Sequence, residues 1–530
     1  MPRAELNSEE IVRRAEELNN SREIYAWRIS DHPEVKSALQ IILQEMKDDG
    51  QIGKRYENKY KRHIQVIVLD LFVAHMADPT MFITYSRNQN DYREGAKYAR
   101  MFLSYRVTIR IIDFLIKNEY VKNERGFYVR DNPANSRKSR MRATEKLINI
   151  IEEQGVSPLM IKNDENEEVI ILRDENKDDI AYEDNPEIIK MRDNVKFINQ
   201  NLERNAIFLD ITDDELKELN KRLKKNPEKG PIDFTKKRLR RVFNNSSFVQ
   251  GGRFYGGWWQ NIPREYRHYI KINDKDVVEL DYSGLHINML YALKNTSMPD
   301  GDVYELDEYP QNETLRRFIK FMAQALINAS DREAARKALH KAVHYDQTLE
   351  LPKEIESTRQ EDIYPLMDAF IQKHIKITDD FCSGRGVYLQ YFDSIMAEKV
   401  LVHFSKKQII GILPLHDSFI LHHHENDYLK EEMEKAFFDM FKREIDVDLK
   451  YNSIKERRKE EKARRKERGE DDMPRPLNMS TREIMEWEAK SSIYWNLLGE
   501  HRRLSNKKHK QEIERLKKKG YPLRIYSEAS

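Results

Sequence analysis

The chain has 530 residues, of which 93 are Lys or Arg and 91 are Asp or Glu, giving a formal net charge of +2. Its mean hydropathy of −0.82, with no apolar run near the roughly 20 residues needed to cross a bilayer, excludes a helical membrane protein. A single cysteine, Cys382, excludes an internal disulfide framework and any Cys-rich metal or iron–sulfur centre, and points to a reducing cytoplasm. The opening Met1-Pro2-Arg3-Ala4-Glu5 has no apolar stretch behind it, which predicts no signal peptide. The length suits about two to four domains.

Residues 1–150 read as a helical N-terminal domain, with Ile64–Leu71 as its first buried helix. Apolar residues at Ile109, Ile112, Leu115 and Ile116 predict a second helix within Met101–Lys117. Tyr120-Val121-Lys122, a turn at Asn123–Gly126, and Phe127-Tyr128-Val129 predict a β-hairpin. Helix followed by hairpin is the order of a winged helix-turn-helix. The adjacent Arg130, Arg137, Lys138, Arg140 and Arg142 would suit phosphates of duplex DNA. A structural domain with a solvated basic edge is the alternative.

Residues 151–240 read as a helical connector. Thr212 and Glu215 form a capping box for a helix from Asp213, so the acids at Asp210, Asp213 and Asp214 serve its dipole rather than a metal. Aromatics, glycines and strand-like runs then dominate to residue 450. Residues 451–530 are a charged, mostly helical extension holding 22 basic against 14 acidic groups. Apolar residues from Ile484 to Leu498 give it a surface to dock with. Because basic charge is local, the near-neutral total does not exclude a nucleic-acid partner; it predicts local binding of modest affinity at physiological salt.

The chemistry concentrates after Gly251. Val277-Val278-Glu279-Leu280-Asp281 is a strand ending in an acid, followed by a Ser283-Gly284 turn and a helix. Ile409–Leu421 reads as two apolar strands with Asp417 at their turn. Two carboxylates brought together from separate strands could hold two magnesium ions, or manganese in their place; otherwise Asp281 caps a helix and Asp417 fills a turn. On the helix from Leu315, Arg316 and Lys320 are four apart and share a face that suits a triphosphate. His422-His423-His424 is set aside as a metal site, because consecutive residues of a strand face opposite ways. Gly251, Gly252, Gly256 and Gly257 lack the Gly-Lys-Ser/Thr of a phosphate loop. Trp258 and Trp259 suit either core packing or base stacking.

Taken in order, Gly252-Arg253, Gln260-Asn261-Ile262-Pro263, Asp281-Tyr282-Ser283-Gly284, Arg316-x-x-x-Lys320 and His416-Asp417 resemble the family A polymerases of the bacterial DNA polymerase I type. They also resemble that family's relatives, the single-subunit phage RNA polymerases. The likeness runs from Phe243 to Phe441. It implies an α/β right-hand fold with an antiparallel palm (241–300 and 376–450), small helical fingers (301–375) and a thumb-like element within 151–240. It implies that Asp281 and Asp417 bind the metals. Arg316 and Lys320 would bind the triphosphate, with Lys320 protonating the leaving group, and Tyr282, His286 and Gln324 would border the nucleotide. Arg253, Gln260, Arg267 and His416 would contact primer and template.

Some positions depart from the family. His286 stands where DNA polymerases of this type carry the glutamate that blocks a ribose 2′-hydroxyl. Gln324 and Asn328 replace an aromatic and a tyrosine, and Ser418 replaces a glutamate. Leu415-His416-Asp417-Ser418-Phe419 is closer to the phage RNA polymerases. The expected activity is a compact DNA polymerase of a phage or mobile element, lacking a carboxylate set for proofreading. An RNA polymerase or primase-like enzyme, and a non-catalytic DNA-binding initiator on a polymerase scaffold, are the alternatives.

Overall fold

Strand β1 (Ser21–Glu23) begins an N-terminal unit containing α1 (Pro33–Asp48), α2 (Glu57–Ala77), β2 (Phe82–Tyr85), α3 (Tyr105–Lys117), β3 (Val121–Glu124), β4 (Ser139–Ala143) and α4 (Glu145–Glu153). The computed structural model describes residues 18–93, 102–127, 136–226, 230–310, 312–345, 360–407, 411–452 and 492–518, together with Lys459. Among these the chain is mixed α/β and helix-rich. Helix α1, started by Pro33 at its first turn, buries Val35, Leu39, Ile42 and Met46 along one face, so a buried helix precedes the Ile64–Leu71 run. That run lies in α2, at the centre of the N-terminal core.

The N-terminal sheet has the order β1-β2-β4-β3, with β1 parallel to β2 and the other pairs antiparallel. The hairpin expected at Asn123–Gly126 is displaced. Strand β3 pairs with β4 in the register Val121↔Ala143 to Glu124↔Arg140, and a bridge Phe127↔Arg137 carries the pairing further out. Gly126 is a point of close approach rather than the reversal: a Cβ there would lie 2.3 Å from the Arg137 carbonyl oxygen. Tyr128, Val129 and Arg130 lie outside the described residues. A four-stranded sheet with a parallel member is larger than a wing's hairpin.

Residues 151–240 are not a separate helical element. They supply β5 (Ile170–Arg173), β6 (Asp179–Ile180), α5 (Pro186–Arg204), β7 (Ile207–Leu209) and α6 (Asp213–Lys224), the last begun by the Thr212/Glu215 capping box. Strand β5 pairs in parallel with β8 (Arg240–Asn244), which pairs antiparallel with β9 (Ser247–Tyr255). Their apolar residues join one core with the remainder of the chain.

That remainder contains β10 (Ile270–Ile272), β11 (Val277–Tyr282), α7 (Leu285–Leu293), α8 (Glu313–Asn328), α9 (Arg332–Tyr345), α10 (Gln360–Lys373) and α11 (Gly386–Lys406). It continues with β12 (Leu413–Leu415), β13 (Ser418–His422), α12 (Asn426–Phe441) and β14 (Val447–Asn452). A central sheet of order β12-β13-β11-β14 is antiparallel throughout. Val277, Val278, Leu280, Phe419, Ile420 and Leu421 are all buried, so both faces are covered and the strands read as near-continuous apolar runs. Glu279 is the charged residue inside β11, and the two acids considered below lie toward the strand ends.

Helix α13 (Ser492–Lys518) lies across both units. Tyr494 and Leu498 pack on Ala206 and Phe208, Leu504 enters the N-terminal core, and Lys507 pairs with Glu34 at 3.0 Å. Ile484, Trp487 and the run Lys455–Arg468, apart from Lys459, lie outside the described residues. No described helix is long and apolar enough to cross a membrane.

Candidate active site

Register places the two acids. Asp281, near the end of β11, pairs with Ser418 of β13, and Asp417 is the residue before Ser418 in the two-residue turn joining β12 to β13. His416, the first turn residue, has φ +66°, the left-handed conformation that tight hairpins require. A non-glycine residue held there is a local cost of the kind found at functional sites. After β11, Gly284 at φ +57° turns the chain directly into α7, with only 3.0 Å between a built Cβ and Val303 Cγ2. A side chain there would be strained and crowded.

The electrostatics are those of an under-compensated acid pair. Asp281 Oδ2 is 3.2 Å from Lys450 Nζ of β14, whereas Asp281 Oδ1 is buried and has no hydrogen-bond partner among the described residues. Burial and the neighbouring Asp417 push the Asp281 carboxyl up to about 7, against the opposing pull of Lys450 and Lys320. A buried oxygen without a donor, beside a second carboxylate, fits a divalent cation: a cation would satisfy the oxygen and relieve the repulsion.

Opposite the acids stands α8, capped by the Asn312 side chain. Arg316 and Lys320 flank the ring of the buried Tyr304, at 5.6 and 5.9 Å from its centroid. Arg316 is anchored by Asp302 at 2.6 Å. Burial raises the Tyr304 hydroxyl's pKa, and Asp417 adds to this, so the phenol stays protonated between the acidic and basic walls. Gln324 is exposed one turn beyond Lys320.

A second polar cluster borders the first. Arg253 Nε donates to Asp393 Oδ2 at 2.9 Å and to Oδ1 at 3.2 Å, and His286 Nε2 lies 3.4 Å from both the Arg253 guanidinium and Asp393. Asp393, on α11, is 2% exposed, and neither it nor Lys450, Asp302 or Tyr304 belongs to a pattern visible in the sequence. Asp393 and Lys450 lie far in sequence from their partners. His416 packs edge-on against Tyr255, and burial, with Arg253 nearby, lowers its pKa and keeps it neutral.

Three sequence-selected residues are placed elsewhere. The Tyr282 hydroxyl donates to the Met433 carbonyl at 2.8 Å, so the side chain is buried against α12 and not on the side of the acids; strand alternation sends it away from Asp281. Gln260 uses its whole amide internally: Nε2 donates to the Phe254 and Pro414 carbonyls, and Oε1 accepts from the Gly256 and Gly257 amides. Gln260 therefore braces the Asp417 hairpin rather than a primer. Arg267 turns to the buried Glu279 at 3.2 Å. Trp258 and Trp259 are core residues, and Trp259 Nε1 donates to the same Pro414 carbonyl.

The N-terminal basic residues divide. Arg140 is buried and donates to the Leu18 carbonyl, and Arg142 stacks over Phe82. Arg137 and Lys138, held by Asn19 at 3.2 Å and Glu23 at 3.0 Å, line an open cavity of about 570 Å³ with exposed Phe127. The chain matches no protein-family model and no curated protein.

Proposed function

We propose that the chain is a template-directed nucleotidyltransferase, a compact DNA polymerase of right-hand architecture with the central sheet as palm and α8–α10 as fingers. One observation carries this reading. Antiparallel register puts Asp281 beside Asp417, with one buried oxygen unsatisfied, opposite the Arg316/Lys320 face of α8.

Asp281 and Asp417 would hold magnesium, or manganese in its place. Bound there, the metal supplies neutralisation of the attacking 3′-oxygen and of the departing pyrophosphate. Arg316 and Lys320 bind the triphosphate oxygens, Arg316 from a side chain already oriented by Asp302. Lys320 donates a proton to the leaving group. Tyr304 fixes the separation of the two cations and, kept neutral, adds no charge to the acids. Arg253, His286 and Asp393 border the sugar and primer terminus. Arg137 and Lys138 offer a remote contact to duplex phosphates.

His286 favours a second reading, an RNA-synthesising enzyme. Its ring is drawn toward Arg253 and Asp393 and does not supply the carboxylate that excludes a ribose. Incorporation on primed and unprimed templates, with dNTPs and with NTPs, tests both. Extension of a primer with dNTPs supports the first reading, and unprimed synthesis or primer extension with NTPs the second. No incorporation of either, with DNA binding retained, would overturn both in favour of a non-catalytic DNA-binding protein.

A further inference from the structure

Strand β11 has two ends, and the one away from the acids carries a different set of ligands. Val277 pairs with His422, four residues along the strand from the Asp281↔Ser418 pair, or about 13 Å. The expectation that His422, His423 and His424 diverge fails because the strand ends at His422. His423–Glu425 is a turn of 3-10 helix, which curls the backbone and swings the three rings together. Ligand nitrogens of the three lie within 4.8 Å of one another.

The state of these nitrogens suits a metal. His423 Nδ1 is 3.3 Å from the Asp276 carbonyl; a proton donated there leaves the Nε2 lone pair outward, the usual arrangement of a ligating histidine. Among the described residues, His422 Nε2 is buried with no hydrogen-bond partner, and Nδ1 receives a long 3.4 Å contact from the His424 amide. His424 is exposed and gives access. Lys275 is the cation nearby, while Asp276 and Glu425 bring the opposite sign.

We propose that His422, His423 and His424 form a site for one borderline-soft divalent ion of the zinc class, with water in the fourth position. The site is chemically separate from the acid pair: imidazole selects zinc, nickel or copper, whereas carboxylates select magnesium or manganese. The His423 ring, through its contact with the Asp276 carbonyl, ties the site to the turn before β11.

The test is titration of zinc chloride into the full-length protein in excess magnesium, read by calorimetry. The expected result is one zinc per chain in the wild type and in Asp281→Asn, with at least about tenfold weaker binding in the His423→Gln/His424→Gln double variant. Both variants are first compared with wild type by thermal melting in chelator. Cobalt(II) added to the wild type alone gives an independent reading, the visible spectrum of a tetrahedral nitrogen-ligated ion. Absence of that spectrum, zinc binding unchanged in the double variant, or zinc binding lost in Asp281→Asn would each overturn the proposal.

Discussion

Asp70 is a fully buried aspartate and Asp281 a partly buried one with one buried oxygen, and their surroundings are opposite. Asp70, in α2 and 0% exposed, accepts from Arg22, Arg28 and the Tyr25 amide, and Arg28 goes on to Asp233. Burial alone would raise its carboxyl, but Arg22 and Arg28 hold it below the ordinary value. Asp281 has Lys450 in contact, an acid beside it and an oxygen with no partner among the described residues, and its carboxyl is raised. One acid is finished by the fold and fastens the N-terminal unit to the strand-rich core. The other is left incomplete, which costs stability unless something from outside completes it.

The largest effect expected is on synthesis. Asp281→Ala and Asp417→Ala should each reduce nucleotide incorporation by at least about a thousandfold, measured by primer extension, while leaving the melting temperature near the wild-type value. Asp70→Asn should do the reverse. Removing this acid from buried Arg28, which keeps Asp233, and from half-buried Arg22 should cost about 3 kcal/mol in denaturant unfolding, with incorporation per folded molecule unchanged. If Asp70→Asn lost synthesis at full stability, the contrast between the two acids would fail.

Next in size is the triphosphate face. Lys320→Met should lower kcat and raise KM for the nucleotide together, by about 10–100-fold in kcat/KM, because a charge facing developing negative charge is lost. Arg317→Met, at an exposed neighbouring position paired with Glu313, should stay within about twofold.

A smaller effect concerns protons. Between the ordinary carboxylate value and about 7, the folded chain binds more protons at Asp281 than the unfolded chain, so this group's contribution to stability falls as pH rises through that window. Asp281→Asn should therefore be more stable than wild type at pH 8 in chelator, by about 1–3 kcal/mol in chemical denaturation. Magnesium should narrow the gap by stabilising only the wild type. Incorporation should weaken below pH 7, with the midpoint moving lower as magnesium is raised.

Much of the central site was readable from local pattern. A strand ending at Asp281 and a hairpin turn at Asp417 are set by apolar runs and their breaks, and the Arg316/Lys320 pair by helical spacing. The remainder depends on tertiary register. Nothing near Asp393 signals that it meets Arg253, 140 positions away, and nothing near Lys450 signals β11. Gln260 was assigned outward because its motif does not reveal that four backbone groups use up its amide. Strand alternation does not govern the histidine run, because β13 ends at its first member, His422, and the next two lie in a 3-10 turn. The hairpin after α3 was placed too early because Gly126 resembles a turn residue, whereas it permits strand contact.

The central claim is most directly tested by single-nucleotide incorporation on a primed DNA template across a magnesium titration, for wild type, Asp281→Asn and Asp417→Asn, with DNA affinity measured in parallel. Magnesium-dependent incorporation is expected of the wild type alone, with DNA affinity in both variants within about threefold of it. Incorporation that persists in either variant, or wild-type protein that binds the template yet adds neither dNTP nor NTP at any magnesium concentration, would contradict it.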